Sequence, residues 1–177
     1  MFKQEYDKEK LKNIRLLVLD VDGVLTDGSI ILNDYGVESK AFNVHDGHGI
    51  KLWHRAGHQS AILSGRAVNV TNLRAAQLDI QHVYQGCKEK LPAFKEMLET
   101  LNISPEQVAW VGDDVVDIPV ARQAGFSAAV DNAVDELKLC ADYVSKRQGG
   151  GGAVREIVKL ILEHQDKWQK LMDRYLG

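Results

Sequence analysis

An acidic loop follows the first long apolar run of the chain. The run IRLLVL leads directly into DVDGVLTDG, so Asp20 and Asp22 stand at the end of a predicted strand. Alternate side chains of an extended segment share a side, which directs both carboxylates toward one pocket. Close carboxylates repel each other unless a cation lies nearby, and hard oxygen ligands suit Mg²⁺. The loop therefore predicts a magnesium site, and an acidic surface turn is the alternative.

A second acidic loop stands in the same kind of place. GDDVVD follows the apolar run VAWV and carries Asp113, Asp114 and Asp117. If the two apolar runs are neighbouring strands, carboxylates of both loops reach one cation, because ligands of open parallel sheets bind beyond the carboxyl ends of the strands. A helix N-cap at Asp113 or Asp114 is the alternative.

Two further strand ends offer groups that bind anions. Ser64-Gly65-Arg66 follows SAIL and supplies a hydroxyl, backbone N–H groups and a helix N-terminus. Lys90 follows HVY and the turn QGC, and supplies a positive charge. Each could be solvated surface when taken alone. Together with the acidic loops they predict a site for a phosphorylated substrate and a divalent cation.

The elements that must position these residues alternate along the chain. Short apolar runs separated by segments of helical period are typical of parallel strands joined by crossover helices. The predicted strands are Ile14–Leu19, Ser60–Leu63, His82–Tyr84, Val108–Val111, Ser127–Val130 and Tyr143–Val144. The predicted helices are Gly49–Ala56, Ala67–Leu78, Lys90–Leu101, Val115–Ala124 and Ala133–Cys140. This pattern predicts an α/β protein with a doubly wound, mainly parallel sheet.

Two segments interrupt that alternation. Residues 29–44 contain two strand-like pieces around NDYG, which predicts an inserted β-hairpin able to cover the site. Residues 148–177 begin with a run of four glycines, Gly149 to Gly152, and continue into an amphipathic helix from Val154 to about Leu176. The length of 177 residues fits one domain spanning 1–177.

Composition excludes several classes of protein. A formal net charge of −3 does not favour nucleic acid or anionic lipid as a partner. Two cysteines, Cys87 and Cys140, are too few for a disulfide framework. No stretch reaches the roughly 18 apolar residues of a membrane span, and the charged N-terminus lacks the apolar run of a signal peptide. We therefore expect a cytoplasmic protein without a nucleic-acid or membrane partner.

The motifs resemble those of a known superfamily. DVDGVLTDG, LSGR, the lysine of QGCKEK and GDDVVD are similar to the four motifs of the haloacid dehalogenase superfamily, over about residues 14–145. The hairpin, FNVHDGHGIKL and GGGAVRE resemble the 3-deoxy-D-manno-octulosonate 8-phosphate phosphatase family, which extends the match over most of the chain. The resemblance implies an enzyme of lipopolysaccharide biosynthesis without a large cap domain. It also implies a homotetramer in which the hairpin and a neighbour's C-terminal segment close each site.

The resemblance also implies roles for the strand-end residues. Asp20 would attack phosphorus to form an aspartyl-phosphate, while Asp22 would protonate the leaving oxygen and then activate water. The Mg²⁺ ligands would be the side chains of Asp20 and Asp113 and the main-chain carbonyl of Asp22, with Asp114 or Asp117 in a supporting or water-mediated position. Phosphoryl oxygens would bind Ser64, Gly65 and Lys90.

The residues that the resemblance implies as sugar-acid contacts match the family pattern less completely than the strand-end motifs do. They comprise Asp22, Asn43, Val44, His45, Asp46, Gly47, Lys51, Arg66, Arg74 and Lys90, and a solvated helix face is the alternative for Lys51 and Arg74. His45 and Gly151 stand where the family usually carries arginine, and neither reproduces the planar, permanently charged guanidinium.

Three other functions remain open at this stage. One is a phosphatase for a nonulosonate (sialic-acid-type) 9-phosphate. Another is a phospho-accepting signalling domain, in which the order of the motifs would differ, and the third is a non-catalytic interaction module, which would not require Asp20 and Asp22 together.

Overall fold

The computed structural model describes residues 6–176, so residues 1–5 and 177 of the predicted domain lie outside the described part. Six strands form one parallel sheet in the order β5-β4-β1-β6-β7-β8. They are β1 Leu16–Leu19, β4 Gln59–Leu63, β5 His82–Tyr84, β6 Val108–Gly112, β7 Phe126–Ala129 and β8 Tyr143–Val144. The predicted doubly wound α/β fold is confirmed, because the chain builds outward from β1 first to one side and then to the other.

Helices cover the sheet. They are α1 Lys8–Asn13, α2 Val44–Arg55, α3 Asn69–Leu78, α4 Lys90–Leu101, α5 Ile118–Ala121, α6 Asp135–Cys140, α7 Ala153–His164 and α8 Trp168–Leu176. Short 3₁₀ turns, Pro105–Gln107 and Val115–Asp117, precede β6 and α5. Within the described residues no helix combines the length and the apolarity needed to traverse a lipid bilayer.

The central strand explains why the core forms where it does. All four residues of β1 are fully buried, as are most of β4 and β6 on either side of it. A strand covered by helices on both faces has no solvent-facing side chains, so its sequence is continuously apolar. Helix α7 packs along α2 with a buried stripe formed by Val154, Ile157, Val158, Ile161 and Leu162.

Several helix boundaries differ from those predicted by the sequence. Helix α2 begins at Val44 instead of Gly49, because the side chain of Asn43 caps it by accepting the N–H of His45 at 2.8 Å. Helix α1 is not predicted by the sequence pattern at all. The segment predicted as one helix over Val115–Ala124 is a 3₁₀ turn followed by the short α5.

The predicted C-terminal helix is divided in two. Asp166 has a left-handed φ of +55°, and the N–H of Lys167 bonds back to the carbonyl of Leu162 at 2.9 Å, which ends α7. The buried stripe also ends at Leu162, whereas α8 buries none of its residues. Because both helices are amphipathic, the helical period of the sequence continues across the break, and periodicity alone does not predict where α7 ends.

The inserted hairpin is present but small. Its strands, β2 Ile31–Leu32 and β3 Glu38–Ser39, pair antiparallel around a turn at Gly36. The sequence predicts a hairpin over residues 29–44. In the structure its second strand ends at Ser39, and α2 begins at Val44. The hairpin lies between β1 and α2 in the chain, and no large cap domain accompanies it within residues 6–176.

Candidate active site

Asp20 lies at the carboxyl end of the central strand. Its N–H continues the sheet by donating to the carbonyl of Val111 in β6 at 3.1 Å. Oδ1 accepts the N–H of Val21 at 2.7 Å, and Oδ2 lies 2.7 Å from Nζ of Lys90. The residue is only 6% exposed. Asp20 is thus a buried carboxylate held at both oxygens, which gives a potential nucleophile one fixed orientation.

The loop after β6 brings two more carboxylates to the same place. One oxygen from each of Asp20, Asp113 and Asp117 lies within 4.8 Å of the others. Gly23 permits this approach: its φ is +83°, and a Cβ there would lie 1.9 Å from Oδ2 of Asp113. The two acidic loops that the sequence places after separate strands are therefore in direct contact.

Lys90 is the cation within this group. It begins α4, is almost fully buried, and places Nζ 2.5 Å from Oδ1 of Asp117 as well as beside Asp20. Nζ also lies 5.3 Å from the centre of the Trp110 ring. Burial opposes the charged form, but the attraction of Asp20 and Asp117 outweighs it and raises the pKa of Lys90. The two carboxylates thus favour the charged form of this lysine.

The carboxylates remain in excess over this one cation. Burial is the main cause that raises the pKa of Asp20 to about 6. The positive charge of Lys90 acts against this rise, and the negative charge of Asp117 adds to it. Burial together with the negative charges of Asp20 and Asp117 raises the pKa of Asp113 to about 8. Three facing carboxylates suit a hard divalent cation, because such an ion favours oxygen ligands and offsets their mutual repulsion. Mg²⁺ fits this donor set.

Asp114 and Asp117, which belong to the same loop, have different surroundings. Asp114 is exposed and caps the following 3₁₀ turn by accepting the N–H of Val115 at 2.7 Å. Asp117 is fully buried, and its Oδ2 accepts the N–H groups of Asp113 and Asp114 at 2.8 and 3.2 Å. Asp117 therefore shapes the loop from inside, while Asp114 has the N-cap role that the sequence left open.

Ser64 ends the strand on the other side of Asp20. Strand β4 pairs with β1, and Ser64 continues β4 by donating its N–H to the carbonyl of Tyr84 at 2.9 Å. Its hydroxyl is buried and accepts the N–H of Arg66 at 3.4 Å. Gly65 is exposed, with no atom closer than 3.8 Å to a Cβ added there. This open backbone beside a hydroxyl can receive phosphoryl oxygens.

A lysine of the hairpin completes the surroundings of Asp22. Nζ of Lys40 forms an ion pair with Oδ1 of Asp22 and lies 2.9 Å from Oε1 of Glu38. Oε2 of Glu38 in turn pairs with Nη2 of Arg66 at 2.5 Å. Sequence reasoning missed Lys40 and Glu38. Their alternation in β3 and just beyond it places both on one side of an extended segment, and that spacing is the signal that could have found them.

The start of α2 lies beside the nucleophile loop. Asn43 donates from Nδ2 to the carbonyl of Gly150 at 3.1 Å, and Arg74 reaches the carbonyl of Asn43 at 3.3 Å. Val44 and His45 are exposed, whereas Gly47 is buried against the guanidinium of Arg74. Five of the ten predicted sugar-acid contacts thus lie at or against the start of α2.

Two of those predicted contacts face elsewhere. Asp46 is buried, and its carboxylate accepts the N–H groups of Gly152 and Arg155 at 3.1 and 2.8 Å, so it holds the start of α7. Lys51 forms an ion pair with Asp79, which lies between α3 and β5 at the opposite edge of the sheet. The structure does not bring Lys51 to the other site residues.

The glycine run packs tightly on the nucleophile loop. A Cβ on Gly149 would lie 1.6 Å from the carbonyl oxygen of Gly23, and the N–H of Gly150 donates to the carbonyl of Val24 at 2.9 Å. The sequence suggests flexibility for this run. In the structure its first two glycines instead serve a close backbone approach that larger residues would prevent.

Comparison with known proteins gives consistent results. A family model described as haloacid dehalogenase-like hydrolase matches residues 69–157. The chain is 50% identical over 158 residues to the 3-deoxy-D-manno-octulosonate 8-phosphate phosphatase KdsC of Escherichia coli (strain K12), covering 89% of this chain and 84% of that protein. Against the Yersinia pestis KdsC it is 48% identical over 159 residues, covering 90% and 85%.

Solved structures agree with the sequence relatives. The 3-deoxy-D-manno-octulosonate 8-phosphate phosphatase of Moraxella catarrhalis, in complex with magnesium ion, phosphate ion and KDO, superposes with a TM-score of 0.93 at 38% identity, over 95% of this chain and 97% of that one. The Yersinia pestis enzyme superposes with a TM-score of 0.90 at 48% identity, over 92% and 88%.

Proposed function

Because the chain belongs to the 3-deoxy-D-manno-octulosonate 8-phosphate phosphatase family of the haloacid dehalogenase-like hydrolases, we propose that it hydrolyses this sugar-acid phosphate to the free sugar acid and phosphate. The reaction is a step of lipopolysaccharide biosynthesis. The observation that carries the proposal is the buried contact of Asp20 with Lys90 and with the acidic loop after β6. It provides a nucleophile, a fixed cation and a set of oxygen ligands at one strand end.

Phosphoryl transfer in this site proceeds in two steps. A carboxylate oxygen of Asp20 attacks phosphorus, the bond from phosphorus to the sugar oxygen breaks, and Asp22 gives that oxygen a proton. Water then attacks the aspartyl-phosphate, passes a proton to Asp22 and releases phosphate with Asp20 restored. Splitting the reaction this way lets one carboxyl group serve first as acid and then as base.

The surrounding groups stabilise charge and position. Lys90 and the hydroxyl of Ser64 hold phosphoryl oxygens, which is where catalysis of phosphoryl transfer mainly operates. Asp20, Asp113 and the main-chain carbonyl of Asp22 would hold Mg²⁺, and the ion would offset the repulsion between an anionic nucleophile and an anionic phosphoester. Arg66 and Arg74 offer guanidinium groups for the carboxylate and hydroxyls of the sugar acid.

The direct test of the mechanism is Asp20→Asn. We expect phosphate release from 3-deoxy-D-manno-octulosonate 8-phosphate with Mg²⁺ to fall by about 10³-fold or more, because the amide is not a nucleophile. Asp27→Asn, an exposed acid of the same loop, is the matched control and keeps wild-type activity. Undiminished turnover in Asp20→Asn would rule out the aspartyl-phosphate route.

The substrate is tested against its nearest competitor. His45 and Gly151 replace the arginines usual in the family, and a nonulosonate 9-phosphate is one carbon longer at the end that carries phosphate. We expect the higher kcat/KM with the octulosonate 8-phosphate. A higher value with the nonulosonate 9-phosphate would leave the mechanism intact and change the assigned substrate.

Assembly as a homotetramer is part of the proposal. The hairpin exposes a set of large apolar side chains that a second chain could cover: Ile30, Ile31, Leu32, Tyr35 and Val37. Light scattering should give a tetrameric mass, reduced by Leu32→Asp, whereas Asp34→Ala at the hairpin tip leaves the mass unchanged. A wild-type monomer at all concentrations would contradict this assembly.

A cytoplasmic location also belongs to the proposal. Its support is that Cys87 and Cys140 are free thiols, as expected in a reducing compartment. Cell fractionation tests it, and recovery outside the cytoplasm would contradict it.

A further inference from the structure

Lys40 is a buried lysine whose partner is the proposed acid/base. Its side chain is 1% exposed and lies just beyond β3, in the return arm of the hairpin. Nζ contacts Oδ1 of Asp22 and lies 2.9 Å from Oε1 of Glu38. Burying an ammonium is costly unless carboxylates compensate it, so its position depends on these two partners.

The contact leaves Asp22 with two unlike oxygens. A lysine ammonium only donates, so Oδ1 is fixed as an acceptor. Within residues 6–176, Oδ2 of Asp22 makes no hydrogen bond or ion pair, and the side chain is 23% exposed. One oxygen is therefore anchored, and the other is available to carry a proton to or from a reacting atom.

The anchor is itself held in place. Glu38 pairs with Lys40 through one oxygen and with Arg66 through the other, and Arg66 follows Ser64 at the end of β4. Charges of alternating sign thus connect Asp22, through the hairpin, to the loop that binds phosphoryl oxygens. A network of this kind restricts each member more than an isolated pair would.

From these contacts we propose that Lys40 is the positioning residue for Asp22. By holding Oδ1, it orients the carboxyl group so that Oδ2 faces the leaving oxygen in the first step and the attacking water in the second. The inference rests on the proposed phosphatase function and assigns to the hairpin a part in proton transfer, in addition to covering the site.

A merely structural role for Lys40 makes a different prediction. If Lys40 only fastened the hairpin, its loss would slow every phosphoester alike. A sugar alkoxide needs a proton in order to leave, whereas p-nitrophenolate is stable as an anion and needs none. Dependence on the leaving group therefore separates positioning of the acid from fastening of the hairpin.

The experiment measures single-turnover cleavage with Mg²⁺ on two substrates, the octulosonate 8-phosphate and p-nitrophenyl phosphate. For Lys40→Met we expect about a 30-fold or greater loss on the sugar phosphate and no more than about 3-fold on p-nitrophenyl phosphate, as part of the 10²–10⁴-fold that a general acid contributes. Lys40→Arg should recover part of the loss. Lys12→Met, which removes an exposed lysine paired with Glu9, should match the wild type on both substrates.

A second comparison uses the acid itself. If Lys40 acts through Asp22, then Asp22→Asn and the double variant Asp22→Asn/Lys40→Met should cleave the sugar phosphate at rates within about 2-fold of each other, since residues that act as one unit are not additive. Equal losses of Lys40→Met on both substrates, additive losses in the double variant, or no loss at all would each overturn the inference.

Failure of the proposed function would look different. A wild-type protein that cleaves neither substrate would overturn the phosphatase assignment and this inference with it. A wild type that rejects the octulosonate phosphate but cleaves another sugar-acid phosphate changes only the substrate, and the same variants then test Lys40 on that compound.

Discussion

At the scale of single residues, Asp117 and Asp114 show how burial separates two chemically identical side chains. Asp117 is 0% exposed and engages Lys90 and two backbone N–H groups, whereas Asp114 is exposed and its side chain only caps its own turn. The sequence alone does not show which of them supports the metal. The contacts favour Asp117, because it fixes the loop that carries Asp113.

A pair of matched substitutions tests this assignment. Asp117→Asn should weaken Mg²⁺ binding by about 10- to 100-fold, because an amide cannot accept from both N–H groups and pair with Lys90 at once. Asp114→Asn should change it by less than about 3-fold, since an exposed N-cap tolerates asparagine. Mg²⁺ titration of activity and calorimetry measure both. Similar affinities in the two variants would show that burial does not distinguish their roles.

Residue positions differ in how far sequence alone can locate them. Asp20 and Ser64 follow an apolar run directly and Asp113 follows one after a single glycine, and a parallel sheet places all such positions at one edge. Lys40 follows no such run. The alternation of Glu38 and Lys40 places both side chains on one side of the hairpin, but the contact of Lys40 with Asp22 also depends on how the hairpin folds over the loop, which the alternation does not encode.

At the scale of elements, Asp46 joins two helices that are distant in sequence. It belongs to the first turn of α2, yet its carboxylate satisfies N–H groups at the start of α7, whose own N-cap, Gly152, has no side chain. Burial outweighs these hydrogen bonds and raises the pKa of Asp46. Its main role in the described structure is thus to attach α7 and the glycine run to the start of α2.

Loss of that attachment should be visible in stability. Asp46→Ala removes the acceptor of two partly buried N–H groups, and we expect the free energy of unfolding to fall by about 2 kcal/mol. Asp7→Ala is the matched control, because Asp7 also accepts a backbone N–H at a helix start but is exposed. It should cost no more than about 1 kcal/mol. Urea unfolding measures both, and equal losses would argue against a special role for Asp46.

Elements were predictable where periodicity and burial coincide. The aliphatic run of β1 and the amphipathic stripe of α7 both identify the buried side directly. The break between α7 and α8 was not predictable, because it depends on Asp166 adopting a left-handed backbone at the end of the buried stripe. The first turn of α2 was missed because its cap, Asn43, and its glycines do not form an apolar pattern.

At the scale of the whole molecule, the fold class follows from alternation of strands and helices, but the order of strands in the sheet does not. That order places β1 between β4 and β6, and it is what brings Ser64 and Asp113 to either side of Asp20. The candidate active site lies at this carboxyl edge. At the amino edge, side-chain contacts instead attach the end of α1 and the segment between α7 and α8 to the rest of the fold.

His58 is the centre of that amino edge. Its ring stacks on Trp53 at 4.3 Å between centroids, and Nε2 lies 2.7 Å from Oε1 of Gln165 and 2.9 Å from Nζ of Lys167. Gln165 also donates to the carbonyls that end α1, at Leu11 and Ile14. Burial is the main cause that lowers the pKa of His58 to about 4, and the nearby positive charge of Lys167 adds to it.

This depressed pKa predicts a pH dependence of folding with a definite sign. Between about pH 6.5 and pH 4, His58 is protonated in the unfolded chain but neutral in the folded chain. The free energy of unfolding therefore falls as the pH falls through this window. After allowance for partial exposure, we expect acidification from pH 7.5 to pH 5 to cost the wild type about 1 to 2 kcal/mol more than it costs His58→Gln. Urea unfolding at both pH values gives the four free energies required. Because His58 lies at the opposite edge of the sheet from Asp20, His58→Gln should retain wild-type turnover at pH 7.5. If the stability of the wild type and of His58→Gln depended equally on pH, the fold would not be keeping His58 neutral.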